Sequence, residues 1–227
     1  MKKAKKALAL LLCAVLLVGA SVAGTVAYLT DKDDVTNTFT VGNVQIDLYE
    51  SIVNEMGEVT GGRTDEGNEY HLLPGHTYTK DPTVHMLEGS EESYVRMIVK
   101  VSNYSNLKAA MPADKYPTYY NGNDFLLQYL VGEWDSNIWV STNVISVADD
   151  VATYEFRYYK TVAGPAKDSD DTTVAELALE PLFKTIKVPE TVNNVELQNL
   201  KNVSIFIEAH AIQKDGFTSA DEAWNNF

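Results

Sequence analysis

The chain has 227 residues, 45% of them hydrophobic and 22% charged, which is enough apolar material to build a packed core and excludes a disordered acidic tail. With 18 Lys+Arg against 32 Asp+Glu, a net charge of −14 and a pI near 4.6, it lacks the clustered cations that displace counterions from phosphates, so nucleic acid is not an expected partner. A single cysteine, Cys13, excludes an intramolecular disulfide and a thiolate zinc site.

The N-terminus reads as an export signal. Four lysines fall in the first six residues, and an uncharged, mostly apolar run follows from Ala7 to Thr30. A charged start, an apolar helix-forming middle and a small-residue end are the three parts of a secretory signal. Cleavage is expected after Ala27, with Thr25 at −3, or after Ala23, with Ser21 at −3. The alternative is an uncleaved anchor, since about 20 apolar residues span a bilayer. Cys13 lies inside the apolar run behind Leu12, where a lipoprotein site needs a small residue, so it reads as filler. Cleavage after Ala27 removes four lysines and leaves 14 basic and 32 acidic residues, a net charge of −18, with no cysteine. The expected organisation is a signal at 1–27 and one domain at 28–227.

Past the signal the dominant period is two, the mark of half-buried strands. In TNTFTVGNVQIDLYE the apolar parity flips across Gly42-Asn43, so a bulge is expected there. SYVRMIVKVS places Val95, Met97, Val99 and Val101 on one face, and NVSIFIEAHAIQ does the same with Val203, Ile205, Ile207, Ala209 and Ala211. Further strands are expected over 78–85, 138–147, 153–161 and 182–188. Two short helices interrupt them. One runs from Asp124 and closes on Gly132; the other starts at Ser219, with Glu222 completing a capping box. Segments 54–68 and 164–173 read as loops by composition. Seven or eight strands with turn punctuation predict an all-β sandwich.

Several stretches resemble the TasA/camelysin family of exported proteins from Gram-positive bacteria. They are the small-residue end of the signal, the AYLTD start, TNTFTVGNV, LLPGHTYTKDPTVH, YVRMIVKV and FIEAHAIQKDGFTSADEAW. The resemblance implies a jelly-roll-like sandwich and removal of the signal by a SipW-type signal peptidase. It also implies a role as a biofilm-matrix protein, secreted or at the cell surface, that polymerises with itself or related subunits. In that arrangement the mature N-terminal segment, residues 28–40, inserts as a strand into the next subunit, with Leu29, Val35, Phe39 and Val41 filling its pockets. Membrane contact would come only through the uncleaved signal, and no cofactor is implied. The competing expectation is that this segment forms the first strand of its own domain.

The chemistry-bearing residues support two rival functions weakly. Camelysin-like relatives are described as metallopeptidases, yet His71, His76, His85 and His210 make no H-E-x-x-H, and Glu208 with His210 is a two-residue spacing common by chance. The acidic groups Asp31, Asp33, Asp34 and Asp168, Asp170, Asp171 invite calcium. Counting from Asp168, however, Thr173 and Leu179 stand where a calcium loop needs Gly and Glu. No G-x-S-x-G or phosphate-binding glycine loop is present. The tyrosines Tyr116, Tyr119, Tyr120, Tyr158 and Tyr159 suggest a sugar platform, hence an adhesin module, although aromatics at period two more often pack across strands. No catalytic, cofactor or metal residue is therefore assigned.

Overall fold

Alternation of apolar and polar side chains along β5 (Ser93–Ser102) and β8 (Val151–Tyr158) sets up the centre of the molecule. In β5 every second residue is buried, and in β8 Ala152, Tyr154, Phe156 and Tyr158 match it, so that Met97 lies opposite Phe156 and Val99 opposite Tyr154. The opposite face carries Arg96, Lys100, Glu155 and Arg157, joined by Arg96–Glu155 (3.3 Å) and Arg157–Glu155 (3.0 Å). These features belong to a computed structural model that describes residues 42–110, 130–166 and 175–227.

Three antiparallel sheets result among the described residues. The four-stranded sheet around β5 and β8 is flanked by β11 (Ile205–Gln213) on one side and β7 (Trp139–Ala148) on the other, in the order β11-β5-β8-β7. A second has the order β2-β1-β4-β9, from β1 (Ile46–Val53), β2 (Val59–Thr64), β4 (Thr83–Leu87) and β9 (Glu176–Ala178). The third is small: β3 (Thr77–Thr79), β10 (Thr185–Lys187) and β6 (Val131–Gly132), in the order β3-β10-β6. Tyr78, Val84, Met86, Leu182 and Phe183 meet the β5 and β8 side chains in one core. The chain is mostly β, as the period predicted, with short helices α1 (Tyr104–Ala110), α2 (Asn194–Leu200) and α3 (Ala220–Asn225). Residues 42–227 form one compact unit.

Five expectations are corrected. The helix expected to close on Gly132 stops sooner: Leu130 is helical, but Val131 and Gly132 belong to strand β6, where Val131 pairs with Ile186 and Gly132 with Thr185. A Cβ at Gly132 would meet Thr185 Oγ1 at 2.3 Å, so this glycine serves a close strand approach rather than a helix cap. Segment 54–68 is not all loop, because it contains β2, which returns along β1 after a turn. There Asn54 Oδ1 accepts from the backbone N–H groups of Met56 and Glu58, and Gly57 takes φ +77°. The strand expected over 78–85 splits into β3 and β4. Between them, Pro82 has no N–H to give a ladder and Asp81 accepts from Ser51 N (2.8 Å) and Ser51 Oγ (2.6 Å) instead. The capping box at α3 is half formed: Ser219 Oγ accepts from Glu222 N, but the Glu222 carboxylate turns to Thr218. Finally, the register irregularity in β1 falls between Ser51 and Val53; Gly42 precedes an isolated bridge from Asn43 to Ser90, and residue 41 lies outside the described residues.

Candidate functional site

The outer strand β11 pairs with β5 along its whole length, from Ile205↔Val101 to Gln213↔Ser93. Among the described residues its other edge has no strand partner. Its inward-facing stripe, expected to be core, is only half buried: Val203, Ile205, Ile207, Ala209 and Ala211 pack against the core and remain partly exposed. A strand edge without a partner presents unpaired backbone N–H and C=O groups that another strand can satisfy.

Beside the start of this strand lies a partly open cavity of about 750 Å³. Its apolar wall comes from five elements: Leu72 from the segment before β3, Leu107 on α1, Ile186 on β10, Leu197 on α2, and Val203 with Ile205 at the mouth of β11. Helix α2 is fixed in place by a complete capping box. Asn193 Oδ1 accepts from Val195 N and Glu196 N, while Glu196 Oε2 accepts from Asn193 N at 2.7 Å. Its lower face then turns Leu197 and Leu200 toward the cavity, three residues apart and so on one side of the helix. Lys201, Glu69 and Lys187, which pairs with Glu190 at 3.4 Å, stand among the lining residues.

The histidines do not converge on this groove or on one another. His71 is exposed, with its backbone N–H donating to Glu55 O, and it lines the cavity wall. His76 Nε2 contacts the Met56 carbonyl oxygen at 2.9 Å, and its ring meets Tyr78 edge-on. His85 is buried beside Tyr49, with Nδ1 3.2 Å from Arg63 and 3.4 Å from Glu176; Arg63 and Glu176 also pair directly. Burial holds the His85 imidazole below its ordinary pKa, against the pull of the Glu176 charge. His210 accepts from Arg96 Nε (3.2 Å) and stacks on Phe227, and burial followed by the Arg96 charge lowers it as well. Glu208, two residues away, pairs with Lys100 at 2.9 Å rather than joining His210. Among the described residues no three His, Cys, Asp or Glu side chains come together as ligands.

Of the tyrosine group, Tyr158 is buried and Tyr159 is exposed with its ring 5.0 Å from Tyr158. Tyr158 donates to Glu180 and packs edge-on against Trp139, as core aromatics do. The cleavage positions Ala23 and Ala27, Cys13, the assembly residues Leu29, Val35, Phe39 and Val41, both acidic groups, and Tyr116, Tyr119 and Tyr120 all lie outside the described residues.

Sequence reasoning found the apolar stripe of β11 but not the groove. The groove depends on α2, and its sequence signal was present: Asn193 and Glu196 have cap spacing, followed by Leu197 and Leu200. Comparison with protein-family models, with curated proteins and with solved structures gives no match.

Proposed function

We propose that this chain is an exported, non-catalytic structural protein of the extracellular or biofilm matrix. In this reading its sandwich is of the jelly-roll type, and it assembles head to tail through the N-terminal segment that follows the signal. A SipW-type peptidase removes the signal, and residues 28–40 of one copy then enter the β11 edge and adjoining groove of the next. Each subunit carries one donor and one acceptor, so addition does not close on itself and filaments grow.

The observation that carries the reading is the half-covered apolar stripe of β11 opening into an apolar groove. Two further features support it. Backbone groups on a strand edge pair with any extended segment, while pockets select its side chains. Leu29, Val35, Phe39 and Val41 supply such side chains, and the DKDD run at 31–34 brings net negative charge to a groove that Lys201 lines.

The test is electron microscopy and sedimentation of the chain beginning at Tyr28, beside the same protein lacking residues 28–35. Concentration-dependent elongation that disappears on deletion is expected. Unchanged elongation in the deleted protein would refute donor-strand assembly, and chelator-sensitive casein cleavage would refute the non-catalytic reading.

A further inference from the structure

A second cluster, in the wall of the same groove, has an arrangement that an ion pair alone does not require. Glu50 on β1 and Lys80, just past β3, are each 8% exposed, and Lys80 Nζ donates to Glu50 Oε2 at 2.7 Å. The other oxygen of that carboxylate, Oε1, accepts from Asn68 Nδ2 at 3.0 Å. The Asn68 amide is oriented without ambiguity. Its Nδ2 also donates to the Ser51 carbonyl (2.9 Å), and its Oδ1 accepts from the Val53 backbone N–H (3.0 Å).

Taken by role, these contacts are the parts of an acyl-transfer site. A primary amine and an amide nitrogen sit on the two oxygens of one carboxylate, and a backbone donor sits on the amide oxygen. The surroundings are fixed and aromatic. Lys80 N–H donates to Lys184 O, Tyr70 donates to Thr79 O, and the Tyr70 and Tyr78 rings meet edge-on at 5.5 Å. Burial, and then the Glu50 charge, raise the Tyr70 phenol above its ordinary pKa, as expected beside an anion withdrawn from water.

We propose that Lys80 and Asn68 are joined by an intramolecular amide bond, formed autocatalytically with Glu50 as the proton carrier. Lys80 Nζ passes a proton to Glu50 Oε2, and the neutral amine attacks Asn68 Cγ, one bond behind the nitrogen that Glu50 already holds. Negative charge develops on Oδ1, where the Val53 N–H stabilises it. Glu50, through Oε1, delivers a proton to Nδ2, the Cγ–Nδ2 bond breaks, and ammonia leaves. Nζ gives up two protons in all: one departs with the ammonia, and the other remains on Glu50 until it passes to solvent. One C–N bond forms, one breaks, and no oxidant or co-reactant is needed. The inference stands apart from the assembly reading, since it requires no second copy.

Intact-mass spectrometry of the chain beginning at Tyr28, followed by peptide sequencing, tests it. The expected result is a protein lighter by one ammonia, with a branched peptide linking the Asn68 and Lys80 segments. Lys80→Arg, which keeps the charge beside Glu50, and Asn68→Ala are each expected to restore the unmodified mass, as is Glu50→Gln. Asn68→Asp is expected to link with loss of water instead. A wild-type protein at its unmodified mass would overturn the proposal whatever the variants do. Ammonia loss without a branched peptide, or water loss with the branch at Glu50, would overturn it too.

Discussion

Head-to-tail assembly predicts that blocking the two ends of the joint separately gives two different kinds of terminator. Leu197→Glu places a carboxylate in the groove wall, and deletion of residues 28–35 removes the donor. Burying one apolar side chain is worth about 1.5–3 kcal/mol. Losing the Leu197 contact and facing the acidic 31–34 run with a like charge, worth about 1 kcal/mol at contact range in water, costs about 3 kcal/mol together. At 1.4 kcal/mol per decade, the elongation constant falls by about a hundredfold. The deletion removes two of the four proposed pocket-filling residues, Leu29 and Val35, and costs about 3–6 kcal/mol, or two to four decades. Each variant alone is therefore expected to sediment as a monomer at concentrations where the parent forms fibres. Mixed, they should form dimers and stop: the Leu197→Glu copy still offers a donor, and the deleted copy still offers a groove. Sedimentation velocity of the equimolar mixture reads this directly. A mixture that stays monomeric, or one that elongates past dimers, would refute the pairing of this groove with that segment. Thermal unfolding of each variant shows whether its own domain is intact.

Acid should weaken the fold before the carboxylates titrate. His85 and His210 have folded pKa values below the ordinary 6.5, so near that pH the unfolded chain binds protons that the native one does not. Stability is then full above pH 6.5 and declines as pH falls toward the folded values. Comparing thermal unfolding at pH 7.5 and 5.5 is expected to show a lower midpoint at 5.5, and His85→Gln with His210→Gln should shrink the difference; a midpoint that rises on acidification contradicts the assignment. Gly57→Ala should destabilise by about 2–3 kcal/mol, because φ is +77° and the new Cβ would lie 2.6 Å from Tyr78 Cα. Urea unfolding measures it, and a change under 0.5 kcal/mol would count against the tight turn. Asn193→Ala removes the α2 cap and should cost about 1 kcal/mol, with faster amide exchange confined to α2 and the groove wall beside it.

What could be seen in the sequence tracks how local its cause is. β5 and β11 were legible because a strict two-residue alternation is both their pattern and their reason for pairing. β2 was hidden because Val59–Thr64 has one half-buried residue, Thr64, and two adjacent glycines, Gly61 and Gly62, so no stripe marks it. β9 is three exposed residues held by β4, with His85 and Ala178 paired although they stand 93 positions apart in the chain. Leu130 is helical as read, but Val131 and Gly132 read as part of the same helix end because a glycine after an apolar run is ambiguous until Thr185 is seen against it. The candidate site was the least legible part. Its groove takes residues from Leu72 to Ile205, and Glu50, Asn68 and Lys80 stand 18 and 30 positions apart along the chain with no motif to join them.

The two proposed features meet in one wall, and the energetics suggest why. Asn68 and Lys80 both line the groove that would receive the donor strand. A bond between them closes a loop of about a dozen residues, which in the chain-entropy picture contributes about 3 kcal/mol. Cys13 is the sole cysteine, so no disulfide within the chain can do this. The same bond fixes the segment carrying Tyr70 and Leu72, so ordering that wall costs nothing further when a strand docks. A site ordered beforehand keeps more of its contact energy as affinity. For a joint that buries only a few apolar side chains, that saving is comparable to the contribution of one of them.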